Sequence, residues 1–324
     1  MTEIDLNFLE THRVEARGWA TQAVVRLARF FLWVGKPTRR CIEGWEIPRR
    51  PVIFATNHTH VLDFLPLWIE LLQQDQRMIG WVKARMYKQG LVRAFTRFLG
   101  SNMPLVSRGY LIAADFREVM GRAPNDEEYR TLRDIVDAKG QMPGGEPYNR
   151  VCCTRRTMLG RPFRPSRQGY GEAMRSLFFE MMQVTLEKTR RCTDQGYHLH
   201  IYPEGQVGRR LTRGHTGIIQ AALALSMPIV PVGISGADQV YLGNGPLTRG
   251  GAFRLRFGEP FDVDPGVVEQ GFRPFHPDDQ RRNEEALQAQ VDEVMRRLDG
   301  LVDQSYRFRP HSKREDDRSV ARFY

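Results

Sequence analysis

The run Asn57-His58-Thr59-His60-Val61-Leu62-Asp63 gathers two imidazoles and a carboxylate within seven residues. A carboxylate that accepts from one ring nitrogen of a histidine fixes the tautomer and leaves the other nitrogen as a base. Whether His58 and Asp63 can meet depends on the backbone between them. Within one continuous helix their side chains would diverge by roughly 140°, at 3.6 residues per turn. Across a turn they can face each other. The same pair also reads as polar residues that merely cap a helix, and His60 is a second candidate for any role given to an imidazole. Metal binding is the weaker reading, because no nearby cysteine or regular His/Glu spacing completes a ligand set.

The flanking residues supply the turn. Residues 51–55 are apolar and β-branched, the pattern of a buried strand. Residues 64–72 are too long and too leucine-rich for a strand and read as a buried helix. Pro66 falls in its first turn, where a missing N–H is tolerated, and Asp63 is placed to cap it. His58 is therefore expected on a strand-to-helix turn. A second candidate position is Glu204, which follows the strand-like residues 198–202 and precedes Gly205. That places it at the carboxyl edge of a sheet, where α/β sites form. Arg209, Arg210 and Arg213 follow closely.

At 324 residues the chain can build one large α/β domain or two small ones, and 41% hydrophobic with 27% charged residues is a globular composition. A net charge of +10 favours an anionic partner: nucleic acid, an anionic membrane surface or a phosphorylated substrate. No aromatic-and-basic RNA motif, zinc-finger spacing or helix-turn-helix is visible, so nucleic acid is the least favoured. The four cysteines have no framework spacing, which suits a reducing compartment. Residues 1–13 carry Glu3, Asp5 and Glu10 and lack the apolar centre of a leader. No uncharged apolar run approaches the roughly 18 residues of a membrane span.

The remaining chain alternates helices and strands. Residues 14–35 form the first informative segment. They place Ala16, Ala20, Ala23, Val24, Leu27, Phe30, Phe31 and Val34 on one helical face, which fits a docked surface helix or one lying in a membrane interface. Residues 78–82 read as a strand leading to Lys83, 91–99 as a helix, and 100–108 as a turn and short apolar stretch ending in Arg108. Arg108 is either a solvated charge or an anion clamp. Residues 110–167 are rich in charge, glycine and proline and read as an inserted, partly mobile lid with one helix near 126–139. Helices are expected over 171–192, 217–225 and 283–298, a buried strand over 228–234, and a strand with one wet face over 253–257. The Met-containing stripe of 171–192 reads as core. The tail after Asp303 is charged and expected to fray.

Taken together these pieces resemble the glycerolipid and lysophospholipid acyltransferase family. Its first motif, Asn-His, four residues and an Asp, matches Asn57, His58 and Asp63. Its second, a Gly-containing turn ending in Arg, resembles Gly100 through Arg108. Its aromatic-Pro-Glu-Gly element matches Tyr202, Pro203, Glu204 and Gly205, and its Pro-containing apolar strand resembles Ile229, Val230, Pro231 and Val232. Lys83 and Phe257-Gly258-Glu259-Pro260 are also similar to family patterns. Gln206 and Val207 depart from the usual Thr-Arg, so Arg209, Arg210 or Arg213 would have to replace an Arg that helps hold the acceptor's phosphate. The departure weakens the expectation of a lysophosphatidic acid acceptor and leaves the acyl-transfer chemistry untouched.

The resemblance implies an α/β fold with a mixed central sheet flanked by helices. Residues 1–40 would associate with a membrane, 41–300 form the acyltransferase domain with the insertion at about 110–167, and 301–324 the tail. It implies transfer of a fatty acyl group from acyl-CoA or acyl carrier protein to a lysophospholipid hydroxyl, on the cytoplasmic face of a membrane, with no cofactor or metal. His58 would be the general base oriented by Asp63, and backbone N–H groups before the Asp63 helix would stabilise the oxyanion. Asn57, Lys83, Arg108, Glu204, Gly205, Arg209 and Arg210 would bind substrate, with Arg108 on an acceptor phosphate and Glu204 orienting the acceptor or bracing its loop. Rival readings are a non-catalytic lipid-binding protein on the same fold, an acyltransferase for a lipid without phosphate and, more distantly, a metal-dependent hydrolase.

Overall fold

The computed structural model describes residues 3–14, 22–23, 26–27, 30, 38–88, 90, 94, 100, 102–243, 245 and 247–308. The helices expected over 14–35 and 91–99 lie largely outside these residues, as does most of the tail. In chain order the elements are α1 (Leu6–Thr11), β1 (Thr38–Gly44), β2 (Ile53–Thr56), α2 (Phe64–Gln73), β3 (Met78–Lys83) and β4 (Asn102–Leu105). There follow α3 (Arg108–Met120), α4 (Asp126–Val136), α5 (Tyr148–Cys153), β5 (Arg156–Met158), β6 (Arg161–Phe163), α6 (Tyr170–Thr193) and β7 (His198–Ile201). The chain continues through α7 (Gly217–Leu225), β8 (Ile229–Ser235), α8 (Ala237–Val240), β9 (Gly251–Phe257), α9 (Pro277–Arg282) and α10 (Glu284–Leu301).

Seven strands form one sheet in the order β1-β9-β8-β2-β7-β3-β4. From β8 to β4 the strands are parallel, β9 pairs antiparallel with β8, and β1 pairs parallel with β9. The mixed sheet agrees with expectation. The carboxyl ends of β8, β2, β7, β3 and β4 share an edge with the amino ends of β9 and β1. The chain leaves β2 toward β3 on one side and leaves β7 toward β8 on the other. The order reverses between β2 and β7, where α/β sheets open a crevice at their carboxyl edge.

Period-two alternation assigns the two faces. Ile53 and Ala55 face a cluster shared with α3, α6, α7 and α10, whereas Val52 and Phe54 face Leu65, Leu67, Trp68 and Leu71 of α2. The Met174, Met181 and Met182 stripe of α6 is core, as expected. On β9, Phe253, Leu255 and Phe257 are buried while Arg254 and Arg256 pair with Glu43 and Asp303 on the wet face.

The segment read as a lid belongs instead to the core. Leu111, Ile112 and Phe116 of α3, Tyr129, Leu132 and Val136 of α4, and Met158 and Phe163 of the β5–β6 hairpin are all buried in the main cluster. The charges that suggested a mobile insertion occupy the outer faces of amphipathic helices, and Asn125 and Glu128 form a capping box on α4. The N-terminal residues join the same core. Leu6 and Leu9 are buried, and Glu3 accepts from Tyr110 Oη at 3.0 Å and from Arg117 Nη1 at 2.6 Å.

Gly233 shows how tightly α10 approaches the sheet. A methyl added there would lie 2.5 Å from the Leu301 carbonyl oxygen. Gly233→Ala should therefore destabilise the fold by about 1–3 kcal/mol, read as a lower urea midpoint. An unchanged midpoint would mean that α10 can move aside at no cost. No helix among the described residues is long and apolar enough to cross a membrane, and all four cysteines are free thiols.

Candidate active site

The turn between β2 and α2 sits on the shared carboxyl edge. Asn57 anchors it: Nδ2 donates to the Ile234 carbonyl at 2.9 Å and Oδ1 accepts the Ile234 N–H at 2.7 Å. Both ends of this amide, expected to meet substrate, are engaged by β8. The next residue carries the chemistry. His58 Nδ1 lies 3.1 and 3.2 Å from the two oxygens of Asp63, whose side chain is fully buried. Only carboxylate oxygens face Nδ1, so Nδ1 carries the proton and Nε2 holds the lone pair. Among the described residues Nε2 has no hydrogen-bond partner, and the ring is 17% exposed.

Asp63 stands at the start of α2 but does not cap it. Its own backbone is already helical, whereas a capping side chain needs an extended one. The carboxylate folds back to accept the Thr59 N–H at 2.7 Å and the His60 N–H at 3.1 Å. A phenol completes the set: Tyr202 Oη donates to Oδ1 at 2.5 Å. The Tyr202 ring lies flat on the His58 imidazole, with centroids 3.7 Å apart and planes 15° from parallel. Burial and the adjacent Asp63 push the Tyr202 phenol well above its ordinary range, so it stays a donor. The sequence marked Tyr202 only as the aromatic before Pro-Glu-Gly; its phenol had no assigned role.

His60 has no free nitrogen. Nε2 donates to the Gly243 carbonyl at 2.7 Å, Nδ1 accepts the Leu62 N–H at 3.1 Å, and the ring stacks on Tyr241. It braces the turn. His200 lies behind Tyr202 with Nε2 2.8 Å from the Thr56 hydroxyl. Burial lowers its pKa to about 4, so it is neutral.

Glu204 supports His58 from the β7 side. Oε1 accepts the His58 N–H at 3.3 Å, while Oε2 accepts the Thr212 N–H at 2.8 Å and hydroxyl at 3.0 Å. Gly208 N–H donates to the His58 carbonyl at 2.7 Å. Glu204 thus braces the loop. Gly205 adopts a left-handed φ of +65° against the His215 ring, a place where a side chain would be strained.

Residues 167–235 match the family model described as Acyltransferase. The matched stretch spans α6, β7, the Tyr202–Gly205 turn, α7 and β8, and supports an acyltransferase-type enzyme; His58 and Asp63 lie outside it. No curated protein matches the chain. Among solved structures, the 1-acyl-sn-glycerophosphate (LPA) acyltransferase PlsC from Thermotoga maritima is similar at 16% identity, over 84% of this chain and 79% of that one, with a TM-score of 0.39.

The remaining candidates are more dispersed. Lys83 ends β3 and is exposed on the same edge. Arg108 is the first residue of α3, and its Nη1 donates to Asp137 Oδ1 at 2.8 Å. Arg133 binds the other oxygen of Asp137 at 2.8 Å. The strand before Arg108, β4, lies three spacings from β2, roughly 14 Å. Arg209 is exposed, 3.9 Å from Asp238, and Arg210 is half-buried. The expected oxyanion amides are largely engaged, since the N–H groups of residues 58, 59, 60, 62 and 63 all have acceptors within the site. Among the described residues no group of three or more His, Cys, Asp or Glu is placed to hold a metal ion.

Glu204 also gives a pH signature. Burial pushes its carboxyl up to about 7, above the ordinary 4.5 of a glutamate, despite the three hydrogen bonds that favour the anion. A raised carboxyl pKa means that the folded state binds the proton more tightly. Its contribution is complete below about pH 4.5 and is lost as pH rises through about 7. The stability of wild type relative to Glu204→Gln should therefore fall by up to roughly 3 kcal/mol across that window, as measured by paired urea midpoints. A flat difference would contradict the buried-carboxyl account.

Proposed function

We propose that this protein transfers a fatty acyl group from a thioester, acyl-CoA or acyl carrier protein, to a hydroxyl of a lysophospholipid or related glycerolipid. The observation that carries the reading is the His58–Asp63 pair, held at 3.1 Å beside the reversal point of the sheet, with Nε2 unpartnered among the described residues. An acceptor hydroxyl gives its proton to Nε2 as its oxygen attacks the thioester carbonyl. Collapse of the tetrahedral intermediate breaks the C–S bond, and the departing thiolate takes the proton from the imidazolium. Asp63 holds the ring orientation and stabilises its positive charge. The lipid acceptor is met at a membrane surface by a peripheral enzyme.

Two observations favour a lipid acceptor without phosphate as the second reading. Arg108 is paired with Asp137, and Val207 occupies the family's usual Arg position. The deciding experiment is thiol release from a long-chain acyl-CoA with lysophosphatidic acid, with its dephosphorylated counterpart and without acceptor. Acceptor-dependent release supports acyl transfer, and the preferred acceptor separates the two readings. Release that ignores both acceptors would indicate hydrolysis, and no release from acyl-CoA or acyl carrier protein would return the non-catalytic lipid-binding protein.

A further inference from the structure

The two ends of the sheet differ. At one end β4 carries Pro104, and its Asn102 carbonyl accepts from the Tyr87 phenol at 3.2 Å and lies 3.0 Å from His12 Nε2. Proline and covering side chains stop a terminal strand from pairing with another chain. At the other end β1 contains neither proline nor lysine, and it pairs with β9 without a bulge from Thr38↔Gly251 to Gly44↔Phe257. Its side chains are exposed on both faces, Arg39 and Glu43 on one, Arg40 and Ile42 on the other. Ile42 is 45% exposed, and Trp45, just past the strand, is 50% exposed.

The direction of the main-chain groups of β1 is fixed from two sides. Trp45 N–H donates to the Phe257 carbonyl at 3.0 Å. Independently, Asn57 takes both main-chain groups of Ile234, so Gly233 and Ser235 turn theirs to Arg256 and Arg254 of β9. Phe253, Leu255 and Phe257 then turn theirs to β1. Arg39, Cys41 and Glu43 therefore bond inward, and the N–H and C=O of Arg40 and Ile42 point away from β9.

A second copy of β1 can meet this edge antiparallel, about a two-fold axis. The axis that uses all seven residues of the strand passes at Cys41. It sets Arg39 opposite Glu43 on either side, exchanges main-chain bonds between Arg40 and Ile42, and puts Cys41 opposite Cys41 in a non-hydrogen-bonded position. Glu43 accepts from Arg256 Nε at 2.9 Å, but its side chain is 51% exposed and can take a second guanidinium. Neighbouring registers lose the match. Centred on Arg40, arginine would face arginine; centred on Ile42, Glu43 would face Cys41 and Arg39 would lose its acid.

We propose that two copies of this chain pair antiparallel through β1, about an axis at Cys41, and continue the sheet from one copy into the next. The proposal does not rest on acyl transfer. The axis runs normal to the sheet, so the carboxyl edges of the two copies point in opposite directions. One flat bilayer takes only one of them, and the pair is accordingly a form of the chain in solution. Seven residues a side make a small interface, so dissociation is expected on the order of micromolar.

The test is the mass of the purified full chain by light scattering across that range, with diamide as a probe of register. Wild type should rise from 37.5 kDa to twice that mass. Opposed residues at a non-hydrogen-bonded position have Cα atoms about 4.5 Å apart, within disulfide reach. A Cys153→Ser chain, relieved of its exposed thiol, should give a disulfide-linked pair, the N=N bond of diamide taking up the two electrons and two protons. Cys41→Ser/Cys153→Ser should give none. Ile42→Pro gives up no bond to β9, because that N–H points outward, and should weaken association by at least about tenfold. Should it fail to fold, Arg39→Glu sets acid against acid at two places and should weaken association by about tenfold. A wild type that keeps the mass of one chain throughout would overturn the proposal. So would a dimer that survives in folded Ile42→Pro, or one that yields no link through Cys41.

Discussion

His58→Ala should lower acceptor-dependent thiol release by about 10³-fold or more while leaving the protein folded. The size of the effect follows from the absence of a substitute. His60 uses one nitrogen on the Gly243 carbonyl and the other on the Leu62 amide, so it has no lone pair for a hydroxyl. His200 is buried, neutral and bound to Thr56. Glu204 is committed to three donors and faces the backbone of His58. Removal of the imidazole also leaves the turn supported, since Asp63 keeps the Thr59 and His60 amides and the Tyr202 phenol. The urea midpoint should therefore stay close to wild type, and acyl-CoA binding should change far less than turnover. A variant that retains release within tenfold would remove His58 from the mechanism.

The local geometry around His58 was legible in the sequence, because it depends on residues close in the chain. An apolar strand, a polar turn and a leucine-rich helix were enough to expect a turn across which His58 and Asp63 can face each other. What closes over them was not. The Tyr202 phenol reaches Asp63 from 139 residues away, because β7 inserts between β2 and β3, and no local pattern encodes that strand order. The ambiguity between His58 and His60 is resolved by Gly243 and Tyr241, in a loop equally remote in sequence. Arg108 was judged by the strand before it, yet its partner Asp137 follows α4, in the segment misread as a lid. That misreading has a compositional cause. Six of the eleven residues of α4 are charged, so the apolar stripe that docks it, Tyr129, Leu132 and Val136, is a minority of its residues.

Asp63→Asn should cost nearly as much as removing His58, about 10³–10⁴-fold in turnover, with the turn intact. The carboxylate accepts from His58, Thr59, His60 and Tyr202 and donates to nothing. An asparagine has one acceptor oxygen, which the Thr59 and His60 amides would hold. Its NH₂ would then face His58 Nδ1 and favour the tautomer with the proton on Nε2, where the base is needed. Tyr202→Phe keeps the ring stacked on His58 and deletes one donor to a charged group, an interaction of about 1.5–3 kcal/mol. The predicted loss is about tenfold or somewhat more. Because the phenol acts through Asp63, the two changes should not add: Tyr202→Phe should have little further effect in the Asp63→Asn background. Turnover of the two single variants and the double variant gives the coupling directly. Equal losses from Tyr202→Phe in both backgrounds would mean that the phenol serves substrate or packing, and that the carboxylate orients His58 without it.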